Sequence, residues 1–84
     1  MSKKEKLRLR LLAKPTDFTW SELERVLFDL GYEPKKTGKT GGSRRKFVHE
    51  TAPLISLHKP HPGNILKQYQ IEQIISTLQE GGLL

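Results

Sequence analysis

Apolar residues recur at helical spacing in three segments of the chain, and the middle segment has the strongest start and stop signals. Its apolar stripe comprises Leu23, Val26, Leu27 and Leu30. Before the stripe, Thr19 and Glu22 have the spacing of a capping box, in which each side chain accepts a hydrogen bond from the other residue's backbone N–H. After it, Gly31 suits the left-handed conformation that ends many helices. The pattern predicts a helix over residues 20–30.

The two outer segments predict a helix near each end of the chain. At the N-terminal end, leucines recur between basic residues, which indicates an amphipathic helix over 3–13 that Pro15 ends. The pattern leaves open whether this helix packs on the rest of the chain or on a partner. At the C-terminal end, the apolar spacing predicts a helix over 67–79. Its stripe comprises Ile71, Ile74, Ile75 and Leu78.

Between the second and the last helix, the hydrophobic period changes to that of β-strands. Three short strands are predicted, at 32–36, 43–49 and 54–58. A glycine-rich turn joins the first two, and a loop containing Pro53 joins the second and third. This order predicts an α+β fold in which a three-stranded antiparallel sheet carries helices on one face, with an extra N-terminal helix.

The charge of the chain narrows the classes of function. Fifteen Lys and Arg face nine Asp and Glu, for a net charge of +6. The basic residues concentrate in 1–14 and in 35–46, and the second cluster contains no acidic residue. This distribution favours a nucleic-acid partner. Because no apolar run could span a membrane or form the core of a signal peptide, we expect a cytoplasmic protein without membrane contact.

Several kinds of chemistry are absent from the sequence. The chain has no cysteine, which excludes disulfides, a thiolate nucleophile and a cysteine-based zinc site. Histidines and carboxylates do not show metal-ligand spacing. The P-loop motif G-x-x-x-x-G-K-[ST] and the dinucleotide-binding motif G-x-G-x-x-G are both absent from the sequence. We therefore expect no metal and no cofactor.

Strand alternation predicts a polar face on the sheet. If Phe47, Ile55 and Leu57 face the core, a polar set lies on the opposite side. That set comprises Arg44, Lys46, Ser56 and His58. Cations can bind RNA phosphates, and a histidine can transfer protons near neutral pH. The alternative is the ordinary polar outer face of a two-layer fold.

Further residues are assigned to RNA binding or to the fold. The expected RNA contacts are Lys39, Ser43, Arg45, Lys46 and Lys59. His61 stands between two prolines, and we favour a structural role in that turn over a catalytic one. His49 is expected to be a solvent-exposed strand end.

Two short motifs resemble a known family. The first is Gly42-Ser43-Arg44-Arg45-Lys46-Phe47, and the second is His58-Lys59-Pro60-His61-Pro62-Gly63 before the last helix. Together they resemble the HicA family of type II toxin–antitoxin toxins, over about residues 19–84. The resemblance divides the chain into a basic N-terminal helix, 1–14, and a HicA-like RNA-binding domain, 15–84.

The resemblance implies a fold and an activity. HicA proteins are similar in fold to double-stranded RNA-binding domains. They are small mRNA interferases that cleave RNA without a metal and are held inactive by a HicB antitoxin. The resemblance therefore implies mRNA and a HicB-like antitoxin as partners.

One position departs from the family pattern. The family's acid–base histidine directly follows Gly-Ser, where this chain has Arg44. Arginine cannot act as a general base, but it can bind phosphate and stabilise developing negative charge. We expect Arg44 to act as a catalytic phosphate contact and His58 to transfer the proton.

Three other hypotheses about the function stay open. The chain cleaves slowly by electrostatic stabilisation alone, or it binds RNA without cleaving, or its basic N-terminal helix docks an acidic partner.

Overall fold

The computed structural model describes residues 3–35, 44–60 and 63–84, which form three helices and three strands. In chain order they are α1 (Lys3–Leu12), α2 (Trp20–Asp29), β1 (Glu33–Lys35), β2 (Arg44–Val48), β3 (Ile55–His58) and α3 (Gln68–Glu80). The predicted order of elements is confirmed, and every predicted end that falls on a described residue lies within one residue of the observed end. Within this part of the chain, no helix has the length and apolar character needed to cross a membrane.

The three strands form one antiparallel sheet in the order β1-β2-β3. Phe47 lies opposite Ile55 in the register, and both are buried, as is Leu57. These side chains join those of the three helices in a single hydrophobic core. The prediction of an α+β fold with helices on one face of the sheet is therefore confirmed.

The capping box at the start of α2 forms as predicted. The Glu22 backbone N–H donates to Thr19 Oγ1 at 3.2 Å, and the Thr19 N–H donates to Glu22 Oε1 at 3.0 Å. These bonds satisfy two of the backbone donors that a helix start leaves unpaired. At the other end of α2, Gly31 has a φ of +100°, the left-handed conformation expected of a residue that ends a helix.

The helix α1 packs on the same core as the other elements. Leu11 is completely buried in it. The Arg10 guanidinium donates to Glu22 Oε2 at 3.0 Å and to Asp17 Oδ1 at 2.9 Å, so it connects α1 to the capping box of α2. The sequence left open whether this helix packs on the rest of the chain or on a partner, and the structure shows that it packs on the rest of the chain. The division into 1–14 and 15–84 stays a prediction.

The contact between Arg10 and Glu22 predicts how stability depends on pH. The hydrogen bond from Arg10 holds the pKa of Glu22 below its ordinary value, against an opposing effect of burial. The folded-state pKa is depressed, so the stabilisation is complete above the pKa of the unfolded chain and is lost as pH falls through the lower, folded value. We expect Glu22→Gln to lower the melting temperature at pH 7, and the difference from wild type to shrink as pH falls from 7 to below the ordinary glutamate pKa of about 4.3.

Circular dichroism melts over that pH range measure the effect. Glutamine can still accept the Thr19 N–H with its one oxygen, but it loses the charge and the second oxygen that accepts from Arg10. Glu24→Gln is the control, because Glu24 is on the same helix and takes no part in the capping box. A Glu22→Gln difference that stays unchanged down to the lowest pH at which the protein remains folded would contradict the assignment.

His49 is not the solvent-exposed strand end that the sequence predicts. Its Nδ1 accepts backbone N–H bonds from Thr51 and Ala52, both at 3.1 Å. Its Nε2 therefore carries the hydrogen and donates to the Leu30 carbonyl at 2.9 Å, while its ring packs against Tyr32. His49 is a structural residue that ties the end of β2 to the end of α2.

Candidate nucleic-acid interface

The outer face of the sheet carries the polar set that strand alternation predicts. In the register of β2 and β3, Arg44 lies opposite His58 and Lys46 lies opposite Ser56. Directly opposed residues of an antiparallel pair project to the same side, and three residues at the alternate positions, Phe47, Ile55 and Leu57, are buried in the core. Arg44, Lys46, Ser56 and His58 therefore lie together on the side away from the core.

Three of these side chains are in contact and are called the Arg44–Ser56–His58 cluster. Arg44 Nη1 donates to Ser56 Oγ at 2.9 Å, and Arg44 Nη2 lies 3.4 Å from His58 Nε2. A guanidinium has only donors, so the second contact requires a lone pair on Nε2. The ring that fits is neutral, with its hydrogen on Nδ1.

This arrangement places a cation and an imidazole side by side on the sheet. The guanidinium is a permanent cation with five N–H donors, more than the two contacts use. The imidazole presents a nitrogen with a lone pair beside it, at a position that is exposed to solvent. A phosphate that binds Arg44 would thus lie next to an acid–base group.

The other predicted RNA contacts are distributed unevenly. Arg45 is exposed but opposes Leu57, so it extends from the core side of the sheet rather than from the outer face. Lys46 is half-buried on the outer face, and Lys59 is exposed directly after β3. Lys39, Ser43 and His61 lie outside the described residues.

Two polar residues contribute more than their sequence signals suggest. Ser56 accepts the hydrogen bond that orients Arg44. Gln70, in the first turn of α3, is buried and donates from Nε2 to the His58 carbonyl at 2.9 Å. It thereby connects the end of β3 to the core. In residues 3–35, 44–60 and 63–84, no group of three or more His, Asp or Glu could hold a metal ion.

Comparison with known proteins identifies the family. A family model described as the HicA toxin of bacterial toxin-antitoxin matches residues 20–82, from the start of α2 to just beyond α3. The chain belongs to the HicA toxin family. This HicA protein is therefore a toxin of the toxin–antitoxin class, and α1 precedes the segment that the family shares. No curated protein and no solved structure gave a significant match.

Proposed function

We propose that this HicA toxin binds mRNA on the outer face of its sheet and cleaves it as a metal-independent endoribonuclease. The Arg44–Ser56–His58 cluster is the observation that carries the proposal, because it holds a phosphate-binding cation 3.4 Å from an acid–base nitrogen. Family membership and the net charge of +6 support an RNA substrate. A HicB-like antitoxin would hold the toxin inactive in the cytoplasm.

The proposed reaction uses the 2′-hydroxyl of RNA as its nucleophile. When RNA binds, Arg44 Nη2 turns from His58 Nε2 to the phosphate, which frees the lone pair of that nitrogen. His58 Nε2 then takes the proton of the 2′-hydroxyl, and the 2′-oxygen attacks the adjacent phosphorus. The bond from phosphorus to the 5′-oxygen breaks, and that oxygen takes a proton from solvent. The products are a 2′,3′-cyclic phosphate and a 5′-hydroxyl.

Arg44 stabilises the charge that develops in this reaction. Negative charge accumulates on the non-bridging oxygens as phosphorus becomes pentacoordinate, and a fixed cation lowers the energy of that state. The bond to Ser56 orients the guanidinium before RNA binds, so little reorganisation is needed. This role needs no proton transfer by arginine, which suits a side chain that stays protonated.

A second candidate is an RNA-binding protein without nuclease activity. The observation that favours it is Arg44 itself, which stands where the family motif has its acid–base histidine. Such a protein would keep the fold, the cations and the antitoxin partner, and would bind mRNA without breaking it.

RNA integrity after incubation with purified protein in EDTA distinguishes the two. The nuclease predicts fragments ending in cyclic phosphate and no effect of EDTA. RNA that stays intact while it remains bound to the protein would support the second candidate.

Salt dependence tests the RNA contacts in either case. Arg44, Lys46 and Lys59 give three cations on or beside the outer face. Each phosphate contact on a single strand changes the slope of log K against log salt by about −0.7, so these three cations contribute about −2 to the slope. Lys46→Ala should reduce its magnitude by about 0.7 in a fluorescence-anisotropy titration, whereas Lys4→Ala, on α1, should leave it unchanged. A flat salt profile would contradict RNA binding altogether.

A further inference from the structure

Gln70 is a polar side chain inside the hydrophobic core, with 4% of its surface exposed. A buried amide without partners would be costly, but both ends of this one are hydrogen-bonded. Its Oε1 accepts the backbone N–H of Lys67 at 3.1 Å, at the start of α3. Its Nε2 donates to the backbone carbonyl of His58 at 2.9 Å. The side chain thus connects the first turn of α3 to the last residue of β3.

The end of β3 is a position where the sheet alone holds the backbone weakly. In the described part of the sheet, β3 is an edge strand that pairs with β2 alone, and His58 is its last residue. Strand ends of this kind open more readily than central strands. The backbone at His58 is therefore held from one side by pairing with Arg44 and from the core side by Gln70.

The support for Gln70 is itself rigid. Ile71 is completely buried and Ile74 nearly so, which fixes the first turns of α3 in the core. Just before the helix, the Leu66 N–H donates to the Phe18 carbonyl at 2.9 Å and joins this segment to the start of α2. Gln70 thus links His58 to a well-packed part of the fold.

We propose that Gln70 is a positioning residue that holds His58 Nε2 at the right place beside Arg44. This inference rests on the proposed function, because the position matters for catalysis only if His58 transfers a proton. The amide does not touch the RNA or the imidazole; it acts through the backbone of His58. A misplacement of about 1 Å at a reacting group can lower a rate about 10²-fold.

The substitution Gln70→Glu tests this role. A carboxylate can still accept the Lys67 N–H, but it cannot donate to the His58 carbonyl. We expect kcat for RNA cleavage to fall about 10- to 100-fold with KM nearly unchanged, because the cations that bind RNA are not displaced. Gln73→Glu is the matched control, since it makes the same change of charge on the same helix and Gln73 lines the groove between β3 and α3. We expect it to keep the wild-type kcat.

A second readout separates this inference from the proposed nuclease activity. The ring resonances of His58 in a ¹H–¹³C spectrum should shift in Gln70→Glu and stay in place in Gln73→Glu, whether or not the protein cleaves RNA. If wild type does not cleave, the nuclease proposal fails while a shift still supports the connection to His58. Unmoved ring resonances, or an unchanged kcat, would overturn the positioning role. If Gln70→Glu does not fold, Gln70→Met replaces it with the same expectations, because methionine has a similar volume and cannot donate.

Discussion

The substitution His58→Ala reduces RNA cleavage by about 10²- to 10⁴-fold if His58 is the acid–base group, which is the contribution that a positioned proton-transfer residue makes. The structure places its Nε2 beside Arg44 on an exposed face, and its lone pair becomes available when Arg44 turns to the phosphate. RNA affinity should change little, because phosphate binding depends on the neighbouring cations. Single-turnover cleavage of a labelled RNA, with affinity measured separately, gives both quantities.

His49→Ala is the matched control for this prediction. It removes the same kind of side chain, but His49 bonds to the backbone of Leu30, Thr51 and Ala52 and lies outside the Arg44–Ser56–His58 cluster. We expect it to lower the melting temperature and to leave cleavage per folded molecule close to wild type. If His58→Ala cleaves like wild type, another group transfers the proton and the cluster has been misassigned.

The faces of the sheet were predictable because strand side chains alternate with a period of two. Placing Phe47 in the core was enough to put Arg44 and Lys46 on the opposite side, and Ile55 with Leu57 did the same for Ser56 and His58. The pairing of Arg44 with His58 was not predictable. The loop between the strands allows more than one register, and only the observed one brings these two residues together.

The two histidines of the described strands show where sequence reasoning fails. His49 and His58 both stand at strand ends next to charged residues. Alternation places His49 on the side of Phe47 and His58 on the outer face, but it does not reveal the hydrogen bonds that His49 makes. The difference arises from the backbone that follows each of them. After His49 the chain turns so that the N–H groups of Thr51 and Ala52 point at the ring, whereas the imidazole of His58 faces Arg44.

The sequence pattern of the last helix does indicate that Gln70 is buried. Gln70 precedes Ile74 by four residues and Leu78 by eight, so helical spacing places it on the buried face. A glutamine at such a position requires polar partners, and the start of its own helix supplies one. The other partner, the His58 carbonyl, depends on tertiary packing that no local pattern specifies.

Substitutions of Arg44 have the second large expected effect, because this residue distinguishes the chain from the family motif. Arg44→Ala should lower cleavage by about 10²- to 10³-fold, as expected when a group that stabilises transition-state charge is removed. It should also weaken RNA binding and reduce the magnitude of the salt slope by about 0.7. Arg44→Lys keeps the charge but loses the planar fork that reaches Ser56 and His58 together. We expect it to restore the salt slope and not the rate.

The substitution Arg44→His then separates the two candidate functions. It introduces the residue type that the family motif has after Gly-Ser. If the wild type is a nuclease that relies on the Arg44 cation and on His58, the variant loses that cation. Its RNA affinity and its cleavage rate should then both fall. If the wild type only binds RNA, it does not cleave RNA, and Arg44→His creates nuclease activity on the outer face of the sheet, where RNA already binds. Cleavage products from wild type and variant, measured side by side in EDTA, therefore decide between the two functions. Equal cleavage by both proteins would contradict the role assigned to the guanidinium, because both functions predict that Arg44→His changes the cleavage activity.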